Sequence, residues 1–236
     1  MAKVYVLQHH AAENLGRISD ALEAAALAWQ YVRVADGQPV PKDMKAAGGL
    51  IVMGGPMGVY QTDRYPWLRD EMALINDAIK QNLPVLGVCL GAQIVAAALG
   101  AKVVRNPAGK EIGWHPIRLE EAAKKDRLMR ELPDKLTPFH WHGDIFELPS
   151  GAVSLARSEK TPCQAFRYGD KVYALQFHFE VTSEGVRAMA TAFAKELERE
   201  DISADEMVAQ SAEFMPALEQ IAETVFSRLA SPIQGI

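Results

Sequence analysis

The sequence predicts an α/β protein: a three-layer sandwich with a mostly parallel central sheet, helices on both faces, a small antiparallel sheet and a helical C-terminal extension. Three observations carry that prediction. Short apolar runs alternate with helix-spaced segments between residues 4 and 99, the stretch Pro84–Gln93 (PVLGVCLGAQ) reads as a buried strand turning directly into a helix, and residues 183–229 keep helical spacing almost throughout.

Val4 to Leu7 make the first buried strand, Gly16 to Ala28 an alanine-rich helix, and Trp29 to Val34 a second strand. Gly49 to Met53 form a third strand that ends in Gly54-Gly55-Pro56-Met57-Gly58, a turn too rich in glycine to be anything but a backbone device. A polar, irregular loop, Val59 to Pro66, leads to a helix over Trp67–Gln81, with Leu68, Met72, Ile75 and Ile79 at helical spacing. Trp67, Met72 and Ile75 are read as helix core. Past Gly100, short strands are expected at 101–104, 113–119, 137–141, 152–156, 163–168 and 171–177, many of them antiparallel, with one short helix over 122–132. Ser183 and Glu184 are start signals for the C-terminal helices, and Ser203 followed by Glu206 reads as a capping box. Two segments result: residues 1–182 as the main domain, and 183–236 as an extension that either covers the sheet or forms a dimer face.

Composition narrows the function. Twenty-five lysines and arginines against 30 acids give a formal net charge of −5 with no basic run, which disfavours nucleic acid and membrane surfaces as partners. The first apolar run is too short for a signal peptide, and no later stretch approaches about 18 apolar residues, so a cytoplasmic location is expected. Two cysteines, Cys89 and Cys163, exclude a disulfide framework and a paired-cysteine zinc site.

Cys89 sits where the strand Val85–Val88 becomes the helix that follows. Such a join strains the backbone and raises the side chain above the sheet, and Gly87 and Gly91 remove the side chains that would clash; this is the layout of a nucleophile elbow with sulfur in place of oxygen. The helix N-terminus beside it favours thiolate. A cysteine nucleophile needs a base, and the base needs an orienting group. His178 closes the strand Val172–Phe177, and Glu180 projects on the same side two residues later. The N–H groups of Gly55, in the Gly-Gly-Pro turn, and of Leu90 make a plausible oxyanion hole.

Gly54-Gly55-Pro56, Gly87-Val88-Cys89-Leu90-Gly91-Ala92-Gln93, His142-Gly143-Asp144 and Gln176-Phe177-His178-Phe179-Glu180-Val181-Thr182 resemble, in order and spacing, the class I glutamine amidotransferases. The nearest likeness is to the glutaminase domain of GMP synthase, and it covers residues 4–182. The resemblance implies a flavodoxin-like sheet and a triad of Cys89, His178 and Glu180. It also implies an oxyanion hole at Gly55 and Leu90, and substrate contacts from Gly54, Gln93, His142, Gly143 and Asp144. The implied reaction is hydrolysis of the side-chain amide of glutamine through a γ-glutamyl thioester, with no metal or organic cofactor. Two departures stand out. Phe179 occupies a position usually held by proline, and residues 183–236 suffice for helices only, with no room for an ATP-binding synthetase domain. The ammonia then goes to a separate synthetase or acceptor subunit, or the protein hydrolyses small γ-glutamyl compounds by itself, or it is a non-enzymatic binding or regulatory relative.

Other residues are read more plainly. His140 and His142 face one way in a strand, as two metal ligands would, but the economical reading has His142 lining the pocket and His140 packed behind it. His9 and His10 either rim the pocket with Glu13 or belong to a polar loop. His115 follows Glu111-Ile112-Gly113-Trp114 and its role stays open. The charged run Lys195–Asp201 is expected to be a solvated helix end, and Cys163 a core or edge residue.

Overall fold

The computed structural model describes residues 3–234. Its first strands, β1 (Lys3–Gln8), β2 (Trp29–Arg33), β3 (Ala47–Val52) and β4 (Val85–Val88), alternate with helices α1 (Arg17–Ala24), α2 (Trp67–Lys80) and α3 (Leu90–Ala98). The chain then runs through short strands: β5 (Val103–Arg105), β6 (Glu111–Trp114), β7 (Ile117–Leu119), β8 (Lys135–Leu136), β9 (Phe139–His142), β10 (Asp144–Phe146), β11 (Ala152–Arg157), β12 (Ala165–Tyr168) and β13 (Val172–Leu175). It finishes with helices α4 (Ser183–Ala192), α5 (Ala194–Arg199), α6 (Ala204–Ala209) and α7 (Ser211–Gln234).

One nine-stranded sheet, in the order β2-β1-β3-β4-β13-β12-β11-β7-β8, spans the molecule. The run from β2 to β13 is parallel, and the strands beyond β13 continue the same sheet antiparallel. Two small antiparallel ladders, β5 with β10 and β6 with β9, stand apart from it. Side chains alternate along each strand, so β1 sends Val4 and Val6 to one face and Tyr5 and Leu7 to the other. The first face packs against α1, α4 and α7, and the second against α2 and α3. Helix α7 buries Leu218, Ala222, Val225, Phe226 and Leu229, the spacing of one helical face, in the core that also holds Ile18 and Leu22 of α1.

Four expectations are corrected by local chemistry. The single strand expected over 113–119 is cut by Pro116, which lacks an N–H and restricts His115; β6 therefore pairs with β9 while β7 joins the large sheet. The helix expected over 122–132 is only a 3-10 turn, Glu121–Lys125, because Asp126 turns extended and its buried carboxylate accepts the N–H groups of Leu128 and Met129. Helix α1 stops at Ala24, before Ala26 adopts a left-handed φ of 52°. The cap of α4 is Thr182, whose hydroxyl accepts the Gly185 N–H, one residue ahead of the predicted start. Ser203 caps α6 as expected, accepting the Glu206 N–H.

The β4–α3 junction sits at the carboxyl end of the parallel strands, where sites form in this architecture. The backbone there is tightly packed. A Cβ on Gly91 would lie 1.9 Å from the Val52 carbonyl oxygen, and one on Gly87 2.5 Å from that of Gly91. Gly91→Ala is therefore expected to lower stability by about 1–3 kcal/mol, with the m-value unchanged in urea titrations.

Candidate active site

Cys89 holds φ 53° and ψ −112°, a conformation that L-residues rarely adopt, with its N–H bonded to the Leu175 carbonyl at 2.8 Å. The reversal aims the sulfur away from the sheet into a cavity of about 710 Å³, lined among others by Glu13, Gly55, Leu90, Gln93 and His142. The thiol donates to the Trp141 carbonyl at 3.4 Å. Past β13 the chain stays extended, and the His178 N–H bonds to the Phe139 carbonyl at 2.8 Å, which carries the imidazole over the elbow. His178 Nδ1 donates to Glu180 Oε1 at 2.6 Å, so Nε2 is the nitrogen left for the sulfur. Phe179 fills the core, its ring 4.6 Å from that of Phe177, so packing holds the His178–Glu180 segment where proline would have stiffened it.

Burial pushes the Cys89 thiol up, and the proximity and charge of His178 pull against it. The thiolate expected from the helix N-terminus alone is thus not what the resting site favours: the Leu90 N–H contributes, but least among the influences on the sulfur. Burial by itself would depress the His178 imidazolium, yet the Glu180 charge and hydrogen bond and the nearby Cys89 sulfur outweigh it and hold the imidazolium well above its usual range.

The remaining predicted residues gather on two sides of the cavity. Gly55 and Leu90 flank Cys89, and a Cβ on Gly55 would lie 3.1 Å from the Leu90 side chain. Gly54 sits behind them, against the Glu13 carboxylate and Cys89. Opposite, Gln93 donates to Gln176 Oε1 at 3.2 Å and to the Asp144 carbonyl at 3.3 Å, and Gly143 and Asp144 complete that wall. His142 lines the cavity and His140 lies behind it, with ring nitrogens 3.5 Å apart. Burial lowers His142 to about 4, so it is neutral and donates from Nδ1 to the Asp144 carbonyl. Glu111, His140 and His142 bring ligand-type atoms within 4.8 Å of one another. Glu111 Oε2 already accepts from Thr161 at 2.6 Å and Gln164 at 2.9 Å, which makes the cluster a hydrogen-bonded wall.

The family model of the class I glutamine amidotransferases matches residues 13–196. The chain belongs to this family. It is 36% identical over 190 residues to the glutamine amidotransferase-like protein YfeJ of Salmonella typhimurium, covering 79% of each chain. A glutamine amidotransferase crystal structure from Thermotoga maritima superposes with a TM-score of 0.89 at 31% identity, over 97% of this chain and 98% of that one. The glutamine-hydrolysing GMP synthase of Campylobacter jejuni is 41% identical over 140 residues, 58% of this chain. This chain spans only a quarter of the length of that synthase.

One feature of this amidotransferase site went unread in the sequence, and a second was read there only as one of two alternatives. The run Lys195–Asp201 is a cavity wall where a solvated helix end was expected: Glu196 accepts from Trp141 Nε1 at 2.9 Å and from Lys110 at 2.6 Å, Glu200 pairs with Lys110 at 2.8 Å, and Arg199 lines the opening. The signal was Leu197, an apolar residue inside the charged run, which is buried and turns the helix toward the protein. The second is Glu13. It does line the cavity, with Oε2 buried and unpartnered among the described residues, and a carboxylate oxygen, Cys89 Sγ and a His178 ring nitrogen all lie within 4.8 Å. His10 instead packs against Phe193, ring centroids 4.9 Å apart, and His9 is buried. Among the described residues no helix is long and apolar enough to cross a membrane.

Burial raises Glu13 from its ordinary 4.5 to about 7, against the pull of His178 and His9 and with the push of Glu180 and Glu196. Folded Glu13 keeps its proton to higher pH than the unfolded chain does, so its contribution to stability falls as pH rises from about 4.5 through 7. Glu13→Gln removes that loss. The variant is expected to match the parent near pH 4 and exceed its stability at pH 8 by at most about 3 kcal/mol, read from denaturant midpoints. A variant less stable than the parent at pH 8 would show the carboxylate ionised and paired.

Proposed function

We propose that the chain is a cysteine-dependent glutaminase that cleaves the side-chain amide of glutamine and releases glutamate and ammonia to a separate acceptor. The observation that carries it is Cys89 on a strained elbow beside His178, itself held by Glu180, in a class I amidotransferase chain. Cys89 gives its proton to His178 Nε2, and the thiolate attacks the amide carbonyl carbon. The oxyanion forms between the N–H groups of Gly55 and Leu90. His178 returns the proton to the leaving nitrogen as the C–N bond breaks, which leaves a γ-glutamyl thioester. It then takes a proton from water, whose oxygen displaces the sulfur, while Glu180 keeps the ring in one tautomer throughout. Gln93 and the loop His142-Gly143-Asp144 hold the amino and carboxylate end.

The size of the cavity favours a second reading. About 710 Å³, reaching from Cys89 to Arg105 and Arg199, is the room a drug-sized ligand takes, more than the ten non-hydrogen atoms of glutamine need. A γ-glutamyl hydrolase acting on amides with a larger amine part fits that space. The reading as a non-enzymatic relative is disfavoured because all three triad positions hold reactive groups.

The test is release of glutamate and ammonia or amine from glutamine and from γ-glutamyl dipeptides, side by side. Cys89→Ala is expected to remove at least about 10⁴-fold of the activity, and a glutamine-directed alkylating analogue to label Cys89 alone. Activity surviving that substitution, or labelling elsewhere, would end both enzymatic readings. Turnover of dipeptides far above glutamine would select the second.

A further inference from the structure

His9, in the loop after β1, and Glu71, on α2, form a buried pair that the chemistry above does not use. His9 and Glu71 are fully enclosed: His9 Nε2 lies 3.0 and 3.1 Å from the two Glu71 carboxylate oxygens, and the His9 ring stacks on Trp67 at 5.3 Å. The other ring nitrogen, Nδ1, lies 3.1 Å from the Gly54 carbonyl oxygen. A carbonyl only accepts, so Nδ1 carries a proton and donates it, whatever the charge of the ring. That carbonyl shares its peptide unit with the Gly55 N–H. In a trans peptide the two groups point opposite ways, so a carbonyl held toward His9 turns the N–H toward the cavity that Gly55 lines. The Gly54-Gly55 turn would otherwise be the most freely rotating backbone near Cys89, since neither residue has a Cβ.

We propose that Glu71 and His9 lock the Gly54–Gly55 peptide in the orientation that makes an oxyanion hole, so that the isolated chain hydrolyses its substrate with no partner needed to build the site. The inference rests on the hydrolytic reading and on Gly55 as a donor. His9 and Glu71 touch neither substrate nor sulfur in this account; they are positioning residues. Their chemistry agrees with the role. A buried ion pair seldom stabilises a fold more than apolar residues of the same volume would, so its value lies in what it orients. Burial opposes the charged His9 ring, but Glu71, Glu13 and the Gly54 carbonyl overcome that and raise it above its usual range, and a charged donor polarises the peptide it bonds.

The experiment compares isolated wild-type chain with His9→Asn, which keeps a donor near the position of Nδ1, and with the double variant His9→Leu/Glu71→Leu, which replaces the pair with apolar volume and leaves no buried charge. On the better substrate from the panel, the double variant is expected to lose 10²–10³-fold in kcat with KM within about threefold. Binding of a γ-glutamyl aldehyde, whose thiohemiacetal oxygen occupies the hole, is expected to weaken by the same factor. Alkylation of Cys89 by iodoacetamide, which needs no hole, stays at the wild-type rate, and His9→Asn recovers most of kcat. The proposal is overturned if the double variant keeps its kcat, or if kcat and alkylation fall together, as in a merely disordered site. It is also overturned if the isolated wild-type chain shows no Cys89-dependent turnover; labelling of Cys89 by the γ-glutamyl alkylating analogue in that preparation would then show that the hydrolytic reading outlives it.

Discussion

One backbone conformation organises this molecule: the positive φ of Cys89, where β4 reverses into α3. A non-glycine residue there carries strain of order 1–3 kcal/mol and persists only where its surroundings over-determine it. Here they do. The Cys89 N–H is tied to β13, Gly87 admits the returning helix backbone, and Gly91 admits the Val52 carbonyl of β3. Three adjacent parallel strands therefore meet at one sulfur, and each also delivers a chemical group. β3 runs into the Gly54-Gly55 turn, β4 into Cys89, and β13 into His178 and Glu180. The fold's order of strands is thus the order of the site's parts.

The electrostatic balance follows from that enclosure. Burial works against every charge near the sulfur: it raises Cys89, lowers the histidines His140 and His142, and raises Glu13. Of the four buried histidines, only His178 and His9 gain affinity for a proton, because each has a carboxylate oxygen within 3.0 Å. The site therefore separates its imidazoles into two kinds. Those paired closely with an acid, His178 and His9, favour the charged form, and His140 and His142 stay neutral and serve as fixed donors and acceptors. A helix N-terminus adds a partial charge worth about 0.3–1 kcal/mol in exposed settings, too little to offset desolvation of a buried thiolate without an imidazolium.

Much of this was legible in the residues. Strand–helix alternation, the glycines around Cys89 and the His178-x-Glu180 spacing are local patterns, and local patterns survive folding. What was not legible depends on contacts across the chain. Glu71 lies on the buried stripe of α2 with Leu68, Ile75 and Ala78, and a lone acid there signals a buried partner, but nothing in the sequence says that the partner is His9, 62 residues away. Glu196 looked like one charge among several on a helix end until Trp141 and Lys110 came beside it. The helix missed over 122–132 has the same origin: the apolar spacing was real, but Asp126 also pairs with Arg167 at 2.9 Å on β12, and that bond fixes it in an extended conformation.

The C-terminal helices bear on how the site is closed. Residues past 182 read in sequence as an appendage, yet α5 supplies the Glu196–Lys110–Glu200 cluster that forms one side of the cavity, and α7 covers the sheet face beside α1. Lys110 is only partly buried, so its ion pairs contribute modestly to stability. Their geometric effect is larger, because the Trp141 indole is bonded to the same Glu196 while the Trp141 carbonyl receives the Cys89 thiol. A displacement of α5 would thus be felt at the sulfur through one residue. The cavity wall and the Cys89 sulfur are thus joined through Trp141, so residues of α5 take part in shaping the pocket.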